Sequence, residues 1–298
     1  MSLTTPIRLP DTPAAIAEPE SRWSGRRPRR VALHVALIGL AVLWLFPLGW
    51  ALFTSFRSYD ETARLGYVSM PASLTLDNYV LAWNDGSLLL QFANTELVVI
   101  PSVVLVLALA TGLACALSGL GQRLSIALLI FFTAGSLLPP HVLVTPLFRL
   151  YATTGLYDQL AGLVVIHVAF QLGFCTFVLA SFLKTLPREI FEAARIDGAS
   201  SLRTLGSIVG PLLRPALVAL AVLETTWIYN DFLWALVLTQ TTARQPVTTA
   251  LASLSGEFFT NHNVVAAAAI LVALPTMVVF LVLRRQLTRG LTVGAVEE

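Results

Sequence analysis

Five polar or ionisable side chains stand inside long apolar runs of the sequence: Glu224, Asn230, Asp231, His167 and Gln171. Glu224 and Asp231 are seven residues apart, about two helical turns, so a helix places them on one face with Asn230 beside them. His167 and Gln171 are four residues apart and share a face in the same way. Such groups are costly at membrane depth and usually face a bundle interior or a cavity. Two interpretations stay open: they contact a polar solute in a path, or they form hydrogen-bonded clamps between helices.

Catalytic chemistry finds little support in the residue pattern. The sequence has no H-E-x-x-H spacing, no nearby cysteine pair for zinc and no G-x-S-x-G turn. Its one lysine, Lys184, is not preceded by a G-x-x-x-x-G-K-[ST] phosphate loop, so the chain has no P-loop of its own. We therefore expect no catalytic residue, no metal site and no bound cofactor. The four histidines are His34, His141, His167 and His262, and the two cysteines, Cys115 and Cys175, lie inside apolar runs, where we expect small buried hydrophobes.

The elements that carry these residues are long and apolar. The chain has 298 residues, of which 56% are hydrophobic and only 12% charged, whereas an ordinary soluble domain has about 25% charged residues. Its mean hydropathy is +0.77. A bilayer core needs about 20 apolar residues per helix, and this predicts an all-α integral membrane fold. Six spans satisfy the criterion, at about 31 to 53, 95 to 118, 126 to 148, 161 to 183, 214 to 238 and 263 to 283.

The basic residues predict the orientation of these spans. With both termini in the cytoplasm, fifteen of the 19 Lys and Arg residues lie inside and four lie outside, namely Arg57, Arg64, Arg149 and Arg244. This is the bias that cytoplasmic loops show. The predicted organisation is a disordered basic arm at 1–30, a six-helix domain at 31–283 and a cytoplasmic tail at 284–298. The net charge of +2 gives no reason to expect nucleic-acid binding.

The cytoplasmic loop at about 184–214 has the pattern of a helix, a turn and a second helix. Pro187 suits a first helical position, acids follow it, and Gly198 can provide a left-handed stop. Ser200 or Ser201 can cap a second helix, which we expect to end at Gly210-Pro211. Ala193 and Ala194 form a bare strip that another protein could approach closely. An ordinary amphipathic loop lying on the lipid headgroups is the alternative.

The loop resembles the EAA signature of the permeases of binding-protein-dependent ABC importers. The matching residues are Glu192, Ala193, Ala194, Asp197, Gly198, Ala199, Ile208 and Pro211. Tyr229-Asn230-Asp231-Phe232 is similar to a stretch of the carbohydrate-uptake branch. Arg284 to Val296, with Gly290-Leu291-Thr292 and Gly294-Ala295-Val296, resembles the tail of the maltose-transporter (MalG) type. The resemblance covers about 31–296, and the sequence departs from the pattern at Leu205, Gly210 and Tyr229.

The resemblance implies a half-channel in the bacterial plasma membrane, with type I importer permease architecture. It would pair with a second, MalF-like permease and sit on a dimer of cytoplasmic ABC ATPases, which would bind ATP and Mg. An extracytoplasmic binding protein or lipoprotein would deliver a sugar or polyol. The EAA loop would be the coupling helix to the ATPase, with Gly198 permitting its sharp turn. Alternating access would follow from movement of this loop as a rigid lever.

A stand-alone secondary transporter or channel is the alternative from another class. It would use Glu224 and Asp231 as an ion or proton relay and would often show an inverted repeat. We find no convincing repeat in the sequence, and this alternative leaves the loop from Glu192 to Pro211 without a purpose. In the importer, the substrate path would include Glu224, Asn230, Asp231, His167 and Gln171.

Overall fold

The fold is described by a computed structural model for residues 26–67, 69, 73–85, 87–136, 138–254 and 261–292. Within these ranges the chain is helical and contains no strand. The first helices are α1 (Arg26–Ser55), α2 (Tyr59–Leu65), α3 (Asp77–Asp85), α4 (Leu88–Ser118), α5 (Gln122–Ser136), α6 (Pro140–Thr154) and α7 (Leu160–Leu183). The remaining ones are α8 (Arg188–Ile196), α9 (Ser201–Thr204), α10 (Gly210–Tyr229), α11 (Leu233–Leu238), α12 (Val247–Ser253) and α13 (His262–Thr292).

Five of these helices are long and apolar enough to cross a membrane, and the number is six if the bent pair α5–α6 forms one span. The all-helical fold predicted from the sequence is therefore confirmed. The two members of the bent pair meet at 87°, so the predicted third span is not one straight helix. Pro139 and Pro140 explain the break, because proline cannot donate a backbone hydrogen bond and its ring disfavours a helical conformation in the residue before it.

Among the described residues, 26–50 and those from 51 onward belong to two separate compact units. In the first, α1 begins at Arg26, inside the segment that we expected to be a disordered arm. Arginine is a good helix former, and Pro28 falls in the first turn, where proline is tolerated. Residues 1–25 of the predicted arm lie outside the described residues.

The second unit is built around α4 and α7, which pack along each other, with α5 and α10 against α7 and α13 against α10. Small residues permit the closest approach: a Cβ built on Gly173 of α7 would lie 2.2 Å from the carbonyl oxygen of Phe132 on α5. One apolar cluster, including Leu163, Ile228 and Leu238, lies toward the start of α7. A second cluster surrounds its end.

The loop that carries the EAA pattern differs from the expectation at its second helix. That helix does not stop at Gly210-Pro211: α9 is followed by a π-helical turn, Leu205–Val209, which runs directly into α10. The N–H of Gly210 bonds to the carbonyl of Leu205, five residues back, and this wider turn accommodates the missing N–H of Pro211. A Cβ at Gly210 would lie 3.1 Å from the same carbonyl oxygen, which explains the departure from an aliphatic residue there.

The connector after α1 is held by buried polar side chains. Arg57 is fully buried and donates to the carbonyls of Gly66 and Tyr67 and to the hydroxyl of Ser69. The amide nitrogen of Asn263, at the start of α13, donates to the Arg57 carbonyl at 2.7 Å, and that of Asn78 on α3 also reaches it at 2.7 Å. Hydrogen bonds therefore fix the connector to the last span, and no short sequence motif predicts these bonds.

Candidate functional site

The loop that carries the EAA pattern contains a short helix, α8, with one exposed face, and a single glycine sets the end of this helix. Gly198 has φ +70°, a conformation that side chains with a Cβ rarely adopt. The N–H of Asp197 bonds to Ala193 and that of Ala199 to Ala194, at 2.9 and 3.0 Å, which closes the helix end. The hydroxyl of Ser200 accepts from the N–H of Arg203. The helix, the left-handed stop and the serine cap predicted for this loop are confirmed.

The prediction that Ala193 and Ala194 form an exposed strip is wrong for Ala194. Ala194 is 3% exposed and faces the bundle, and Phe191, one turn earlier, packs on the second core cluster. Ala193 and Glu192 are exposed, and Ile196 is 85% exposed. Alanine-rich composition could not show which alanine faces inward, because that depends on where the helix is attached.

A cleft of about 700 Å³ lies beside this helix, between the end of α4, the start of α5 and the end of α7. Its lining includes Glu192, Lys184 and Phe191. The two charged side chains form no salt bridge with another described residue. Ile208 lies in the π-helical turn and is partly exposed, whereas Pro211 in the first turn of α10 is exposed.

The structure separates the predicted substrate-path residues into two levels along α7. The carboxylate of Asp231 lies 3.8 Å from the Nε2 atom of His167. Glu224, which is fully buried, accepts a hydrogen bond from the thiol of Cys175 at 3.3 Å. Gln171, on the same helix, is 9% exposed. Sequence reasoning treated Cys175 as a buried hydrophobe, and its polar partner on another helix could not be read from the local sequence.

The expectation that Glu224 and Asp231 share one helical face with Asn230 beside them is correct only in part, because both carboxylates face α7 whereas Asn230 does not. Helix α10 ends at Tyr229, so helical periodicity does not extend to Asp231. Instead, the Asp231 carboxylate caps α11, accepting from the N–H groups of Trp234 and Ala235 at 3.4 and 3.1 Å. Asn230 is exposed, and its amide donates to the Thr226 carbonyl at 2.7 Å.

The segment after α11 folds back onto the bundle through polar contacts that the sequence did not reveal. Asp158, in the turn between α6 and α7, accepts from the N–H groups of Gln240 and Thr241 and from the Thr241 hydroxyl. These bonds, with the Thr241 hydroxyl contributing most, hold the pKa of Asp158 below its usual range. Asn94 of α4 donates to the carbonyls of Ala243 and Gln245. The segment is therefore closed over α4 and α7.

Together these features describe a helical protein with five or six apolar helices long enough to span a membrane, polar contacts between them, and a short helix, α8, with one exposed face. Residues 100–293 match the model of the family described as binding-protein-dependent transport system inner membrane component. The chain belongs to this family, which confirms the membership indicated by the EAA pattern. The family places the chain among inner-membrane transport components rather than among enzymes.

Individual relatives agree with this assignment over most of the chain. The trehalose transport system permease protein SugB of Mycobacterium tuberculosis is 31% identical over 263 residues, 87% of this chain and 92% of that protein. The melibiose/raffinose/stachyose import permease protein MelC of Bacillus subtilis is 32% identical over 228 residues, 76% of this chain and 83% of that protein. A bacterial ABC transporter involved in alginate import contains a chain with the same fold, with TM-score 0.77 and 21% identity, covering 88% of this chain and 97% of that one.

Proposed function

We propose that the chain is one permease subunit of an ATP-driven importer that moves a sugar or related polyol into the cell. The family is that of binding-protein-dependent transport components, and the relatives SugB and MelC are named for the transport of trehalose and of melibiose, raffinose and stachyose. The exposed helix α8, closed by Gly198, is the observation that carries the proposal. A partner protein that moves the membrane spans needs an exposed helix with a fixed end to bind.

The mechanism that follows is alternating access driven from outside this chain. A dimer of ABC ATPases would bind ATP and Mg, and closure of that dimer would displace α8 through its exposed residues Glu192, Ala193 and Ile196. Helix α9 and the π-helical turn continue into α10 without a break, so displacement of the loop would be transmitted directly to a span. A second, MalF-like permease would complete the path, and a binding protein would deliver the sugar outside. Both termini would lie in the cytoplasm.

The secondary-transporter alternative receives no support from the polar residues. An ion relay needs titratable groups along a connected, hydrated path. Glu224 is fully buried against Cys175, and Asp231 is engaged as the cap of α11. The cleft beside α8 is lined by neither carboxylate, and the small cleft at Asp231 and His167 is not lined by Glu224.

The experiment that tests the proposal is affinity purification of the tagged chain from its native membranes in mild detergent, with mass spectrometry of the associated chains. We expect an ABC ATPase and a second permease, and the binding protein from the same system can then be screened for its sugar. A chain that purifies alone and still transports solute into ATP-free vesicles would overturn the proposal.

A further inference from the structure

One exposed face of α10 carries an unusual combination of side chains. It comprises Leu223, Thr226, Trp227 and Asn230, which follow one another at helical spacing, and we call it the Trp227 face. The indole is 59% exposed and Leu223 is 39% exposed, while Thr226 and Asn230 are also exposed. Neither the coupling mechanism nor the packing of the core uses these residues.

The depth of this face in the membrane follows from the contacts with α7. Glu224 is level with Cys175 and Asp231 is level with His167, because their side chains meet at 3.3 and 3.8 Å. At about 1.5 Å per residue, His167 and Cys175 lie roughly 10 and 22 Å from the external end of α7. Trp227 lies between these two levels. It is therefore too deep for the belt of aromatic residues that anchors helices at the membrane surface.

The polar groups on the face argue against lipid as its neighbour. Asn230 uses one amide N–H on the Thr226 carbonyl, and its Oδ1 atom has no partner among the described residues. An exposed primary amide at this depth is unfavourable in hydrocarbon, where each unsatisfied polar group costs several kcal/mol. The face must therefore meet water, a polar solute or another protein.

The chemistry of the face matches an uncharged sugar. A ring with a polar tip beside an amide provides an apolar platform and hydrogen-bonding groups, the combination that small-molecule sites use. Four of the described spans, 88–118, 160–183, 215–238 and 262–282, contain no Lys or Arg. They do contain the acids Glu96, Glu224 and Asp231, and these four spans provide no Lys or Arg counter-charge for an anionic cargo.

We propose that Trp227 and Asn230 form a contact site for an uncharged sugar within the translocation path. The proposal rests on the proposed function, since it requires that this chain form half of a sugar-conducting pore. The indole stacks on the apolar face of the sugar ring, and the Asn230 amide hydrogen-bonds its hydroxyls. Glu224, His167 and Asp231 do not contact the cargo: they hold α10 and α11 against α7.

The first test measures water access with a charged, membrane-impermeant methanethiosulfonate reagent on the assembled importer in proteoliposomes. Trp227→Cys and Asn230→Cys are expected to react above the background of the unaltered chain, which contains the partly exposed Cys115 and the buried Cys175. Val104→Cys is the matched control, because Val104 is 61% exposed on α4 at a similar depth. It should not react. Failure of both path variants to react would show a face covered by lipid or by the partner permease and would overturn the proposal.

The second test measures uptake kinetics with the sugar that binds the partner binding protein. Trp227→Leu should raise KM about tenfold, equivalent to about 1.4 kcal/mol, and Trp227→Phe, which keeps a ring, should restore most of it. A wild-type KM for Trp227→Leu, or an acidic sugar as the cargo, would contradict the inference. Absence of ATP-dependent uptake by the unaltered complex would instead count against the proposed function.

Discussion

Gly198 is the residue whose substitution most directly separates coupling from folding. Its φ of +70° lies in the left-handed region, and a Cβ built there meets no atom within 4 Å. Replacement by valine therefore adds backbone strain without a steric clash. A non-glycine residue held in such a conformation costs about 1–3 kcal/mol. At about 1.4 kcal/mol per factor of ten, this cost reduces the population of the native turn about five- to hundredfold.

The expected result is a complex that assembles normally but transports poorly. Gly198→Val should lower the amount of sugar imported per ATP hydrolysed, measured in proteoliposomes that contain the purified complex and its binding protein. Gly198→Asn should retain more transport, because asparagine tolerates the left-handed conformation better than other residues.

Two matched variants control for effects that are not specific to the coupling loop. Gly155→Val introduces similar strain, at φ +76° and with open space around the Cβ, but in the turn after α6 and away from α8. Gly121→Val places the same side chain in the turn between α4 and α5, without a positive φ. Both should import sugar with an unchanged ratio to ATP. Equal coupling in Gly198→Val and in these controls would refute the rigid-lever mechanism.

Three further predictions follow from the packing and the polar contacts. Gly173→Ala should destabilise the complex by roughly 1–3 kcal/mol in thermal unfolding, because its Cβ would meet the Phe132 backbone. Gly112→Ala on α4 is the control, since its Cβ meets open space, and it should be neutral. Equal melting temperatures of the two variants would contradict the close approach of α5 and α7. Glu224→Gln should retain ATP-driven uptake, since the amide oxygen can still accept from Cys175, while an ion relay through Glu224 would be abolished. Hydrogen exchange of residues 239–253, corrected for intrinsic rates, should show protection that is lost as the pH falls through the pKa of Asp158, which is lowered below its unfolded value of about 4. In Asp158→Asn the protection of this segment should depend little on pH. Identical pH profiles in the two proteins would show that the carboxylate does not hold this segment.

Local signals in the sequence predicted the helices, their approximate number and the coupling loop. Long apolar runs are sufficient to identify spans, and Gly198 followed by serines marks a helix stop and a cap. These features depend on neighbours within a few residues, which is why they could be predicted. The break at Pro139-Pro140 also has a local cause, but the apolar run at about 126 to 148 by itself indicated one continuous span.

The features that could not be predicted depend on contacts between distant residues. The sequence gives Asp231 a helical phase relative to Glu224, but the chain leaves the helix at Asn230 and uses the carboxylate as a cap. The contact of Cys175 with Glu224 joins residues 49 positions apart, and that of Asn263 with Arg57 joins residues 206 apart. The continuous path from α9 into α10 depends on a π-helical turn that Gly210-Pro211 alone does not specify.

The central claim is that this chain conducts sugar only as part of an ATP-driven, binding-protein-dependent complex. Uptake of the radiolabelled sugar into proteoliposomes tests it most directly, with the purified complex, and with ATP and the binding protein added or omitted independently. We expect accumulation of the sugar only when ATP and the binding protein are both present, and none with this chain alone. Accumulation by this chain alone, driven by an ion gradient without ATP, would contradict the account.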